Sequence, residues 1–243
     1  VLCAQSIEDL ILFHGPETVA ALIAEPVSAS SLAAVPGSPY WPMIREICTK
    51  YGVLLIADEV ITGFGRTGQM FAVEHWEIVP DMMTFAKGVG NGLALGGVVG
   101  RAEVMEAMPA NSISTFGGNP IASAGALATI NYMLEHDTQK NSKEMGERLS
   151  EGISKTVSDS PVIAEIRGRG LMLAIETVIP DSIEPNAPAA AQLMEATRAA
   201  GLLIGKGGLY GNVIRIAPPM TVTADEIDEG IAILNEAIKD LNN

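Results

Sequence analysis

Runs of four to six apolar residues recur along the first half of the chain. Each ends at something polar or glycine-rich, and a stretch of helical period separates it from the next. That alternation predicts a parallel sheet with crossover helices, an α/β arrangement. Residues 19–24, 53–57 and 82–86 read as buried strands and residues 41–51 as an amphipathic helix. In open α/β sheets ligands bind outside the carboxyl ends of the strands. Glu25, Asp58 and Lys87, each just past an apolar run, are therefore the first candidates for chemistry.

The second half reads differently. Residues 120–135 suit a closely packed helix of small residues, and the Lys/Glu-rich stretch 138–157 a polar helix bridging two domains. Short strands are expected at 161–166, 171–176 and 213–216, helices at 187–200 and at the C-terminus, and a surface loop at 179–188. Thr223 with Glu226 three positions on makes a capping box for the last helix. The expected division is a sheet domain over 1–137 and a smaller α+β domain over 138–243. A length of 243 residues accommodates both.

Hydrophobic residues make up 48% and charged ones 18%, which excludes a disordered chain. The net charge of −14 repels phosphate backbones and anionic lipid, so neither nucleic acid nor a membrane surface is an expected partner. No apolar run approaches the roughly 18 residues of a membrane helix. Cys3 and Cys48 lack any CxxC spacing, and with 11 methionines they suggest a reducing compartment, the cytoplasm or an organelle matrix.

Gly63, Gly65 and Gly68 match G-x-G-x-x-G, yet Asp58 to Thr62 separate them from their strand, so a loop is the better reading than a dinucleotide turn. Lys87 precedes Gly88, Gly90 and Gly92, the reverse of a P-loop order. A lysine closing an apolar strand either snorkels to water or is desolvated, and the desolvated amine suits Schiff-base chemistry. Asp58 favours the second reading, because a lysine and a carboxylate at neighbouring strand ends are the minimal set for pyridoxal phosphate, the carboxylate holding the ring nitrogen protonated. Asp58-Glu59 also reads as a helix cap or a metal-ligand pair. His14, His75 and His136 stand about 60 residues apart, so no metal is expected. No G-x-S-x-G elbow is present. Arg215, inside the apolar strand VIRIA, needs an anion: an internal salt bridge or a substrate carboxylate.

IAEP (23–26), LLIADEVITGFGRTG (54–68), PDMMTFAKGVGNG (80–92), STFGGNP (114–120), IRGRGLM (166–172) and VIRIAPPM (213–220) occur in order. Together they resemble the class III pyridoxal-phosphate aminotransferases, the family of ornithine, 4-aminobutyrate, β-alanine and alanine-glyoxylate aminotransferases. The GKGGLYGN stretch (205–212) resembles the alanine-glyoxylate and β-alanine-pyruvate branch most. The resemblance implies the latter part of a fold-type I large domain, with a mostly parallel sheet, followed by a small α+β C-terminal domain. It also implies that the chain is the C-terminal portion of a longer enzyme whose phosphate-binding turn and ring-stacking aromatic lie upstream. The implied reaction moves an amino group from an amino acid or amine to an oxo acid, in a ping-pong cycle of pyridoxal and pyridoxamine phosphate, by a homodimer or dimer of dimers.

By the same resemblance Lys87 forms the Schiff base and carries the proton, Asp58 pairs with the pyridine nitrogen, and Val60 packs on the ring. Thr115, beside Gly117 and Gly118, reaches a partner's cofactor phosphate, and Arg215 binds the substrate carboxylate. Two positions depart from the pattern. Ile61 replaces a glutamine found in some members, and Ser30 stands where the glutamate-using branches carry a second glutamate. Without that neutralising partner Arg215 stays available in both half-reactions, which favours pyruvate or glyoxylate. An amine or diamine transaminase and a non-catalytic fragment or interaction module are the rival readings.

Overall fold

The structure, a computed structural model, describes residues 1–109 and 113–241. The chain divides into two compact units, Val1–Pro26 with Pro36–Phe64 and Gln69–His136, and Val27–Val35 with Gly65–Gly68 and Asp137–Asn243.

In the first unit the elements run α1 (Leu2–His14), β1 (Ala21–Ala24), α2 (Tyr40–Tyr51), β2 (Leu54–Asp58), β3 (Met82–Phe85), β4 (Gly97–Gly100), α3 (Ala102–Met105) and α4 (Pro120–His136). The strands form one sheet in the order β1-β2-β3-β4, parallel across the first three and antiparallel at β4. α2 buries Trp41, Ile44, Ile47 and Cys48, a stripe spaced at three and four residues. It ends at Gly52, whose left-handed φ of 69° lets its N–H return to the carbonyls of Cys48 and Thr49.

Residues 59–81 cross from β2 to β3 as a loop with one 3-10 turn, Ala72–Trp76, in which the buried Glu59 binds the backbone of Val73 and ties the loop to its own start. One strand boundary needs correcting. Asp58 is the last residue of β2 and not the first beyond it. The edge strand β4 pairs with β3 through Met82↔Gly100 to Phe85↔Gly97.

The second unit contains α5 (Thr138–Ser158), β5 (Ile163–Arg169), β6 (Met172–Thr177), α6 (Ala187–Ala199), β7 (Gly205–Gly207), β8 (Val213–Ile216) and α7 (Ala224–Asp240). Its sheet, in the order β5-β6-β8-β7, is antiparallel throughout. One face buries Leu173, Ile175, Ile214 and Ile216 against Leu149 and Ile153 of α5, Leu193 of α6, and Leu234 and Ile238 of α7. The alternate residues, Ala174, Glu176 and Arg215 among them, take the opposite face. α7 starts with the expected capping box: Thr223 Oγ1 accepts from the Glu226 N–H, and Glu226 Oε2 accepts from the Thr223 N–H at 2.8 Å.

α5 approaches the β5–β6 turn so closely that a Cβ on Gly146 would collide with the Gly170 carbonyl. Gly146→Ala is therefore expected to destabilise the protein by about 1 to 3 kcal/mol despite alanine's better helix propensity, the cost of overpacking. A urea titration of the two proteins measures it; an unchanged midpoint would contradict the close approach.

Candidate active site

At the carboxyl end of β2, Asp58 has one carboxylate oxygen fixed. Oδ1 accepts from the Val60 N–H at 3.1 Å and from Thr84 Oγ1 at 3.1 Å. Thr84 reaches it because β2 and β3 pair in parallel with Asp58 opposite Thr84. Among the described residues nothing donates to Oδ2. A carboxylate held at one oxygen and open at the other is suited to a cationic ring N–H. Val60 is half-buried one turn of backbone from it.

Lys87 lies two residues past the end of β3, where it opens a 3-10 turn, Lys87–Gly90, with a left-handed φ of 49°. A non-glycine residue held there carries a backbone cost of roughly 1 to 3 kcal/mol, which functional sites often retain. The turn closes with the Asn91 N–H on the Gly88 carbonyl at 3.2 Å. The desolvation expected of a lysine closing an apolar strand is not found. β3 stops at Phe85, so Lys87 is exposed, and among the described residues no carboxylate pairs with it. Gly88 and Gly92 face open space.

Thr115 is exposed on the turn before α4, a turn held by the Gly117 N–H on Ser114 Oγ at 3.1 Å and finished by Asn119, whose Oδ1 accepts from the Ala122 N–H. In the second unit, Arg215 is exposed on β8 beside Gly205, and among the described residues no carboxylate pairs with it, so the internal salt bridge is not made. The structure thus brings Asp58 and Lys87 to adjacent strand ends, leaves Thr115 on a separate turn, and places Arg215 in the other unit.

Thr84, Arg66 and Arg167 escape the sequence reading, and Glu59 reads there only as a cap or a metal ligand. Thr84 was legible only through the strand register, as the lone hydroxyl in MMTFA. Glu59 is fully buried, and its carboxylate caps the first turn of the 3-10 turn Ala72–Trp76. It accepts from Val73 N–H at 2.9 Å and from Thr62 Oγ1, and burial pushes its carboxyl up despite those donors. Among the described residues no group of three His, Cys, Asp or Glu is placed to hold a metal. Arg66, inside the glycine turn 63–68, donates to the Pro218 carbonyl at 2.6 Å and the Leu171 carbonyl at 3.2 Å. Burial, and then the neighbouring Arg215 charge, hold its guanidinium below the ordinary arginine value. Two cations sharing a site without an acid favour an anion there. Arg167 pairs with Glu165 and Glu176 on the second unit's sheet.

The residues of the first unit fit pyridoxal phosphate: a carboxylate with one open oxygen for the ring nitrogen, and an amine without a competing acid for the aldehyde. The sequence of residues 1–238 matches the family of class-III aminotransferases. It is 40% identical over 227 residues to the 5-aminovalerate aminotransferase DavT of Pseudomonas putida, covering 93% of this chain and 53% of that protein. It is also 36% identical over 225 residues to an alanine/serine racemase of Pyrococcus horikoshii, covering 93% and 47%. A transaminase from a marine Virgibacillus superposes with a TM-score of 0.91 at 36% identity, over 98% of this chain and 57% of that one. The chain spans about half the length of the curated relatives it matches. It belongs to the class-III aminotransferases, a pyridoxal-phosphate-dependent family with the fold-type I architecture.

Proposed function

We propose that this chain is part of an aminotransferase that moves an amino group from an amino acid or amine to an oxo acid, pyruvate or glyoxylate in preference to 2-oxoglutarate. The observation that carries the proposal is the placement of Asp58 and Lys87 at the carboxyl ends of adjacent parallel strands, with no partner on Asp58 Oδ2 or on the Lys87 amine among the described residues. Residues 1–137 form the latter part of the cofactor domain and 138–243 the bridging helix and small domain. The assembly is a homodimer or dimer of dimers, in the cytoplasm, with Thr115 serving a partner's cofactor phosphate.

When bound, pyridoxal phosphate supplies an aldehyde that takes up the amino group and a ring that delocalises the electron pair left as a proton departs. Asp58 keeps the ring nitrogen protonated, with Thr84 and the Val60 N–H fixing the carboxylate's orientation, and Val60 packs on the ring. Lys87 Nζ would hold the cofactor's aldehyde carbon, and its amine, when free, would take the proton from the substrate carbon. Arg215, with Arg66 beside it and no acid partner, binds the substrate carboxylate.

Borohydride reduction of the protein with pyridoxal phosphate should label Lys87, and label on Lys50 or Lys206 would overturn that assignment. The acceptor preference rests on Ser30, which carries no charge to silence Arg215. In the full-length enzyme pyruvate or glyoxylate is expected to outpace 2-oxoglutarate, and Arg215→Ala to lower kcat/KM for acids by roughly ten- to a hundredfold, the loss of a charge-assisted clamp, while sparing a simple amine. Equal or faster turnover of 2-oxoglutarate would reject the preference. The likeness to an alanine/serine racemase favours a second reading, in which the proton lost from the substrate carbon is replaced on that carbon's opposite face. Formation of D-alanine from L-alanine without an oxo acid distinguishes it.

A further inference from the structure

The register of the second unit's sheet places Arg167, Ala174, Arg215 and Gly205 in one row across β5, β6, β8 and β7. The next row on the same face is Glu165, Glu176, Val213 and Gly207. Two acids therefore share a face with Arg215, and Glu176 is its diagonal cross-strand neighbour, a spacing of about 7 to 8 Å that long side chains bridge. Neither pairs with it. Arg167 Nη1 bonds Glu165 Oε1 at 2.8 Å and also Glu176 Oε2, with the Arg167 side chain only 15% exposed.

The rest of the Arg167 guanidinium holds backbone: Nε donates to the Leu32 carbonyl at 3.1 Å and Nη2 to the Ser31 carbonyl at 3.0 Å. Those residues lie on a strap, 28–34, closed by the Ser28 N–H on the Ala34 carbonyl at 3.0 Å. Leu32 and Ala33 both have left-handed φ, 45° and 55°, a strained pair that persists only if its surroundings fix it. At the other edge of the sheet Leu32 packs on Gly207, where a Cβ would come within 3.0 Å of Leu32 Cδ1. The strap therefore lies over the face that carries Arg215.

We infer that Arg167 is a positioning residue for substrate recognition: by occupying Glu176 and pinning the strap, it keeps Arg215 free for the substrate's carboxylate. This rests on the reading of Arg215 given above. Glu176 would otherwise be a built-in competitor, able to neutralise Arg215 as a substrate carboxylate does.

The test measures kcat/KM in the full-length enzyme for an oxo acid and for an amine donor without a carboxylate, across R215A, R167M, R167Q and the double variant R167M/E176Q. R167M should lower acid turnover relative to amine turnover by roughly ten- to a hundredfold through KM, as Glu176 takes over Arg215. R167Q still offers an amide to the strap carbonyls but no charge to Glu176. It should move the same ratio and covers the case in which R167M fails to fold. The double variant, in which Arg215's diagonal neighbour Glu176 no longer carries a charge, should restore most of the ratio, an outcome that simple loss of packing at Arg167 does not produce. If R215A shifts the ratio but R167M and R167Q lower acid and amine turnover equally, or the second substitution fails to rescue, this inference is overturned alone. If R215A leaves the ratio unchanged, the reading of Arg215 falls and this inference with it.

Discussion

Lys87→Ala is expected to lower kcat of the full-length enzyme by about 10²- to 10⁴-fold or more, since in the proposed role it removes a nucleophile and a proton carrier together. The fold should not contribute to that loss. Lys87 is exposed, no carboxylate among the described residues pairs with it, and alanine meets the same left-handed φ of 49° that lysine already tolerates. Thermal melting should therefore stay within a degree or two while turnover collapses. The variant should also lose the borohydride-stable attachment of pyridoxal phosphate. Lys87→Arg should fare no better, because a guanidinium stays protonated and cannot accept the proton. A decrease below tenfold in Lys87→Ala would mean that another amine carries the chemistry.

What could be read from the sequence divides along a physical line. Strand ends are local: an apolar run and the polar residue closing it are adjacent in the chain, which is why Asp58 and Lys87 stand out in the sequence. The capping box at Thr223 and Glu226 is local too. The partners of those residues are not. Thr84 meets Asp58 only through the parallel register, Arg66 meets the Leu171 and Pro218 carbonyls across 105 and 152 positions, and Arg167 meets the strap across 135. No periodicity encodes such pairings, because a backbone carbonyl gives no sequence signal. The loop after β2 was legible from its glycines, but the buried carboxylate that fixes it was not, since Glu59 meets the Val73 N–H 14 positions on. Substrate roles rested on resemblance, because which anion an unpartnered arginine takes is a property of the assembled site.

The largest effect on stability should come from Asp81, at the entry to β3. Its Oδ2 accepts from the Leu55 N–H and from Arg45, each at 2.8 Å, and Oδ1 from Arg101 at 3.0 Å, so one carboxylate joins β2, α2 and the segment after β4. Burial alone would raise its carboxyl, but the Leu55 N–H and the two guanidiniums outweigh burial and hold it below the usual aspartate value. Asp81→Ala leaves the Leu55 amide unsatisfied and the largely buried Arg45 uncompensated, a loss of about 3 kcal/mol, the low end for breaking a buried pair because Arg101 is 57% exposed and can turn to water. For a chain of this length that is a fall in Tm of roughly 6 to 12 °C. The contribution has a defined pH window. A carboxyl depressed in the folded state stabilises fully above its unfolded value of about 3.9, and that stability is lost as pH falls through the folded value. The gap in urea midpoint between the native protein and Asp81→Asn should therefore be constant from about pH 8 to 5 and narrow below about pH 4. A gap that widens on acidification would show that Asp81 is not the charged centre of this cluster.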